Sequence, residues 1–144
     1  MQALVNNGPT YQTGVAPPCL KDGEALIRLS VAGICATDLE LVKGYAQFSG
    51  VLGHEFVGIV ESVANDKDRD WLNQRVVASI NIGCTHCDCI NVGPEHCLQR
   101  KVLGIRDKDG VFADYFSLPV GNLFAVPDNV TDESAVFTEP LAAA

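Results

Sequence analysis

Apolar residues in this chain fall into short runs that alternate with polar ones, a period of two rather than the three-and-four spacing of helices. The clearest run is 24–31, where Ala25, Ile27, Leu29 and Val31 point one way and Arg28 and Ser30 the other, which predicts a half-buried strand. Similar reasoning predicts a first strand over residues 1–5, turned by the Asn-Asn-Gly-Pro cluster at 6–9 into a second over 11–15. Strands are also expected over 56–63, with a bend at Gly58, and over 75–80, 111–116 and 123–127, with Asp109-Gly110 as a hairpin signal before the strand at 111. Trp71 and Leu72 are expected to pack back on the core after a charged turn at 65–70.

Helical signals are few. A short helix is predicted over 37–43, capped by Thr37 or Asp38 and stopped by Gly44. Thr131 is expected to cap another, with Asp132 and Glu133 in its first turn. Pro140 should end that segment and open a further helix at Leu141, leaving Glu139 at the break. With about seven or eight short strands, glycine-rich turns and few helices, the fold class is mainly β, a barrel or partly closed sheet.

Composition narrows the function classes. The 144 residues are 47% hydrophobic and 19% charged, the size and balance of one globular domain. A formal charge of −8 repels phosphate backbones and anionic membranes, so nucleic acid and membrane partners are not expected. No apolar stretch reaches the ~20 residues that span a bilayer, and a cytoplasmic protein is expected. Six cysteines in such a chain point to metal or catalysis rather than disulfides.

Four of those cysteines, Cys84, Cys87, Cys89 and Cys97, lie within fourteen residues. Thiolates crowded that closely repel one another, and a tetrahedral Zn²⁺ relieves the repulsion, so a closed structural site is expected in a lobe at about 81–100. Either His86 or His96 could replace one sulfur, His96 being the better substitute, although all-sulfur coordination is preferred. Cys19 fits no cluster.

A second constellation combines Gly33-Ile34-Cys35-Ala36-Thr37-Asp38 with Gly53-His54-Glu55-Phe56-Val57-Gly58. Together these runs offer a thiolate, an imidazole and a carboxylate, three of the donor types zinc favours. With the cysteine lobe and Glu139-Pro140-Leu141 following in order, the chain resembles the N-terminal part of a medium-chain, zinc-dependent alcohol dehydrogenase. The ending resembles the sorbitol and threonine dehydrogenase branch.

That resemblance covers essentially the whole chain and implies a GroES-like, partly open β-barrel. It implies two zinc ions per chain. Cys35, His54 and Glu55 would hold a catalytic one, with Glu139 as a fourth ligand directly or through water, and the four cysteines would hold the other. It further implies Lewis-acid activation of a small alcohol, polyol or carbonyl substrate, Thr37 as proton acceptor, hydride transfer to NAD or NADP, and a full-length protein that is a homo-oligomer. Two departures stand out: only Asp88 separates Cys87 from Cys89, where the family has two residues, and Glu40 stands where some members carry a relay histidine.

No Gly-x-Gly-x-x-Gly turn occurs, so residues 1–144 are expected to form the catalytic domain of a longer dehydrogenase, without its C-terminal Rossmann NAD(P)-binding domain and inactive alone. The rival expectation is a stand-alone zinc-stabilised β module, co-chaperonin-like or partner-binding. Such a module explains the cysteine lobe but gives Cys35, His54, Glu55 and Glu139 no task.

Overall fold

A computed structural model describes the chain apart from Asn7, Thr85 and Asp88 and the side chains of Cys89 and Ile90. In chain order the elements are β1 (Ala3–Val5), β2 (Thr10–Gln12), β3 (Glu24–Gly33), α1 (Ala36–Val42), β4 (Glu55–Val63), β5 (Arg75–Ala78), β6 (Asn81–Ile82) and α2 (Cys89–Val92). Then follow β7 (Lys101–Leu103), β8 (Asp107–Lys108), β9 (Tyr115–Pro119), β10 (Leu123–Ala125), α3 (Asp132–Ala135) and α4 (Thr138–Ala143). Five antiparallel strands in the order β10-β5-β4-β3-β9 make the central sheet, which does not close on itself. Smaller β1-β2 and β6-β7-β8 sheets flank it.

The alternation read along β3 sets its inner face as far as Leu29; beyond the register shift there Ala32 continues that face, and Val31, expected to share it, packs instead against Val57 and Val77. Ala25 and Ile27 are wholly buried against Phe56 and Val60 of β4, Val76 of β5, and Phe116 and Leu118 of β9. Phe56 and Phe116 meet edge to face with ring centroids 4.7 Å apart. Trp71 and Leu72 pack against this core, as their sequence position suggests. The bend expected at Gly58 coincides with a register shift between Leu29 and Val31 of β3, because Gly58 lies so close to Ile27 Cγ2 and the Arg28 carbonyl that no side chain fits.

Three local expectations need correction. Asp109-Gly110 does not turn a hairpin. The Gly110 N–H donates to the Val51 carbonyl at 2.7 Å, Asp109 Oδ1 accepts from the Val51 N–H at 2.9 Å, and the strand begins only at Tyr115. Tertiary pairing with the Val51–Gly53 backbone outweighs the local turn preference. Helix α1 is capped by Cys35 rather than Thr37 or Asp38; Asp38 sits at the third helical position and its Oδ2 accepts from the Cys35 N–H at 2.9 Å. Helix α4 begins at Thr138, so Pro140 occupies its first turn, where its missing N–H is not needed.

Arg75 ties the end of the chain to the sheet. Its Nη1 lies 2.6 Å from Asp132 Oδ1, and its Nη2 donates to the carbonyls of Pro127 and Val130 at 2.9 and 2.8 Å. This anchors the connection from β10 to α3, which Thr131 caps through the Ser134 N–H.

A buried ion pair links β3 to β8. Glu24 Oε1 accepts from Lys108 Nζ at 2.9 Å, and Oε2 from the Lys21 N–H at 3.0 Å. Burial pushes the Glu24 carboxyl up, but the Lys108 and Lys21 contacts outweigh it and hold the group below its ordinary 4.5. A depressed folded pKa contributes stability that is present above pH 4.5 and lost as pH falls through the lower folded value. Denaturant midpoints measured from roughly pH 6 down to 3 should therefore fall less steeply in Glu24→Gln than in the parent chain. Equal slopes would show that the pair carries none of the acid sensitivity.

Candidate metal centre

The two sequence runs meet at the end of the β3-β4 ladder, where Gly33 pairs with Glu55. Beyond that pair β3 passes into Cys35 and α1, and His54 enters β4, so one sheet end carries all three donors. Ligand atoms of Cys35, His54 and Glu55 lie within 4.8 Å of one another. Gly33 leaves space for the carboxylate; a Cβ there would overlap Glu55 Oε2 and stand 3.1 Å from Glu55 Cβ.

Asp38 holds the halves together. It is 3% exposed, its Oδ2 accepts from the Cys35 N–H, and its Oδ1 accepts from the Gly53 N–H at 3.3 Å. The same Oδ1 lies 3.4 Å from His54 Nδ1, a charge contact rather than a well-formed hydrogen bond, and Nδ1 is buried without a hydrogen-bond partner. Burial opposes charge on His54, yet Asp38 and then Cys35 outweigh it and lift the imidazole to about 9. From the sequence alone Asp38 reads as a helix cap; the Cys35-x-x-Asp38 spacing is the signal for its second contact.

Thr37 Oγ1 lies 3.6 Å from Cys35 Sγ. Glu139, second residue of α4, is outside the 4.8 Å group. It still feels the site: burial raises its pKa, Glu55 and Asp38 add to the rise, and His54 opposes it.

The chemistry of the first group suits a divalent ion. A thiolate, an imidazole and a carboxylate converge, and the imidazole's Nδ1 faces the Asp38 carboxylate, as an outer-shell partner of a metal-bound histidine does. A cation also relieves the repulsion among Asp38, Glu55 and Glu139.

The cysteine lobe brings Cys84, Cys87 and Cys97 together within 4.8 Å. Their sulfurs are 3.2 Å apart between Cys84 and Cys87 and 3.7 Å apart between Cys87 and Cys97, and the Cys84 N–H points at Cys97 Sγ at 3.3 Å. The Cys84 thiol is drawn down to about 6, first by the His86 backbone N–H and then by the Cys87 side chain. The Cys89 side chain lies outside the described residues, as does the deletion at Asp88. Neither His86 nor His96 belongs to the three-sulfur group, and His96 instead faces Glu95 at 3.6 Å. Cys19 is exposed and joins neither group.

The fold agrees with the comparisons to known proteins. The alcohol dehydrogenase GroES-like domain family matches residues 21–128. The chain belongs to that family.

An L-threonine 3-dehydrogenase of Chelativorans sp. (strain BNC1) is 36% identical over 151 aligned positions, 98% of this chain and 44% of that protein. The crystal structure of the short chain alcohol dehydrogenase rspB from Escherichia coli CFT073, complexed with NADH, superposes with a TM-score of 0.83 at 29% identity, covering 97% of this chain and 42% of that one. A protein described as a zinc-binding dehydrogenase from Sinorhizobium meliloti 1021, bound to NADP, gives 0.82 at 28% identity, covering 98% and 42%. The chain thus spans about two fifths of the length of these proteins. No described helix is long and apolar enough to cross a membrane.

Proposed function

We propose that this chain is the substrate-activating, zinc-holding domain of an NAD(P)-dependent alcohol or polyol dehydrogenase. The convergence of Cys35 with the His54-Glu55 pair within 4.8 Å carries the reading, because the sequence separates Cys35 from that pair and a purely structural module has no use for the group. Those three residues would hold the catalytic zinc, with Glu139 approaching from α4, and Cys84, Cys87, Cys89 and Cys97 would hold a structural one. When bound, the catalytic zinc supplies a Lewis acid that lowers the pKa of an alcohol oxygen.

The chain's own residues do the rest. Cys35 and Glu55 bring negative charge to the ion, and Asp38 fixes the loops of both ligand runs. Thr37, partly exposed and with its hydroxyl beside Cys35, takes the alcohol's proton on its oxygen and releases its own to solvent. The part of a full-length protein beyond this chain would hold the nicotinamide that accepts the hydride, as the NADH- and NADP-bound neighbours suggest.

Cobalt loading of the purified chain tests the open coordination position this chemistry needs. Adding imidazole as a small exogenous ligand should change the visible spectrum of the parent chain and leave that of Cys35→Ser unchanged. A spectrum indifferent to imidazole in both chains would point to a closed, structural metal only, and to the stand-alone module. Asp38→Ala should weaken metal at this site by about tenfold to a hundredfold while sparing the cysteine lobe, as loss of an outer-shell partner does. Competition with a chelating dye reads the two affinities separately, and an unchanged weaker class would remove Asp38 from the account.

A further inference from the structure

A cavity of about 610 Å³ lies between residues 45–49, which follow α1, and the segment from Arg100 to Asp109 that carries the parallel pair β7-β8. None of Cys35, Thr37, His54 or Glu55 lines it.

Its walls carry positive charge in a chain whose formal net charge is −8. Among the described residues Arg106 pairs with Asp107, with Nε–Oδ2 at 3.8 Å, and its side chain is 58% exposed. Arg100 donates from Nη1 to the Glu95 carbonyl at 2.5 Å, while its buried Nε has no hydrogen-bond partner. The other charges lining the cavity are already engaged: Lys108 by Glu24 and Ser117, and Asp109 by the Val51 N–H. Beyond these contacts the exposed Arg106 guanidinium keeps donor nitrogens at the cavity, and Arg100 lines the same space with its Nη1 held by Glu95 and its Nε buried.

The backbone around the cavity is unusual. Of the four non-glycine residues with positive φ among the described residues, Ala46, Gln47 and Asp107 (57°, 49° and 54°) line this space. Side-chain-bearing residues adopt that region at a cost, and such residues gather where a surface is shaped for a ligand.

We propose that this cavity binds the oxyanion end of a small molecule, a carboxylate or a phosphate monoester, through Arg106 and Arg100. Arginine presents paired donors to either group in the same planar geometry. Asp107 opposes the anion and moderates the affinity. In the dehydrogenase reading above, on which only this last clause rests, the site selects acidic substrates over neutral ones.

The test is a calorimetric titration of the zinc-loaded chain with inorganic phosphate, gluconate and, as a neutral control, glucitol. The two anions report whether a phosphate, a carboxylate or both are accepted. At least one should bind saturably while glucitol does not, Arg106→Gln should weaken the anion by about tenfold, and Asp107→Asn should tighten it. Binding should persist in Cys35→Ser, so failure of the metal reading and failure of this one are separately visible. If neither anion gives more heat than sodium chloride at matched ionic strength, or if Arg106→Gln binds as the parent does, the proposal is wrong.

Discussion

Gly110→Ala is expected to lower the unfolding free energy by about 3 kcal/mol. A Cβ at Gly110 would fall on the Gly53 carbonyl oxygen and within 2.5 Å of the Leu52 carbonyl oxygen. Both are backbone atoms, so neither can swing aside. The contact is also where the 110–112 segment is tied down, with Val111 N–H donating to Gly53 O at 3.0 Å and Phe112 N–H to Leu52 O at 2.9 Å. Separating these strands displaces Gly53 and with it His54, so the variant should lose metal at the Cys35 group as well as stability. Urea unfolding with a metal count on the folded fraction reads both. A loss below about 1 kcal/mol with full metal would show that the backbone approach is looser than the structure shows.

The second large effect is Cys35→Ser. Serine keeps the size of the side chain but replaces a soft thiolate by a hydroxyl that stays protonated at neutral pH, which removes a charged ligand from a group of three. Zinc should fall from two ions per chain to one, with the remaining ion in the cysteine lobe. Stability should change little, because Cys35 is only partly buried and its N–H, which Asp38 holds, is untouched. Inductively coupled plasma emission together with thermal unfolding separates the outcomes. Two ions in the variant would place the second elsewhere, and an unfolded variant would make Cys35 a structural residue.

Much of this architecture is legible in the residue order. Period-two alternation identifies β3, and runs of β-formers identify β4 and β5, because their inner faces are continuous and apolar. The two ligand runs and the cysteine lobe are visible for a different reason: metal donors are rare residue types at set spacings. What escapes the sequence is decided by contacts distant along the chain. Asp109-Gly110 has the local chemistry of a hairpin, but the carbonyls that recruit Gly110 belong to residues 51–53. Asp38 reads as a cap, and its link to Gly53 exists only once β3 and β4 pair. The cavity at residues 45–49 takes its opposite wall from a segment more than fifty positions later, which no local pattern reveals.

Anomalous diffraction at the zinc edge from crystals of the zinc-loaded chain tests the shared-ion claim most directly. The account predicts two peaks, one in the cysteine lobe and one within about 2.0–2.4 Å of both Cys35 Sγ and a nitrogen of His54. A fully occupied lobe with no peak between Cys35 and His54 would contradict it.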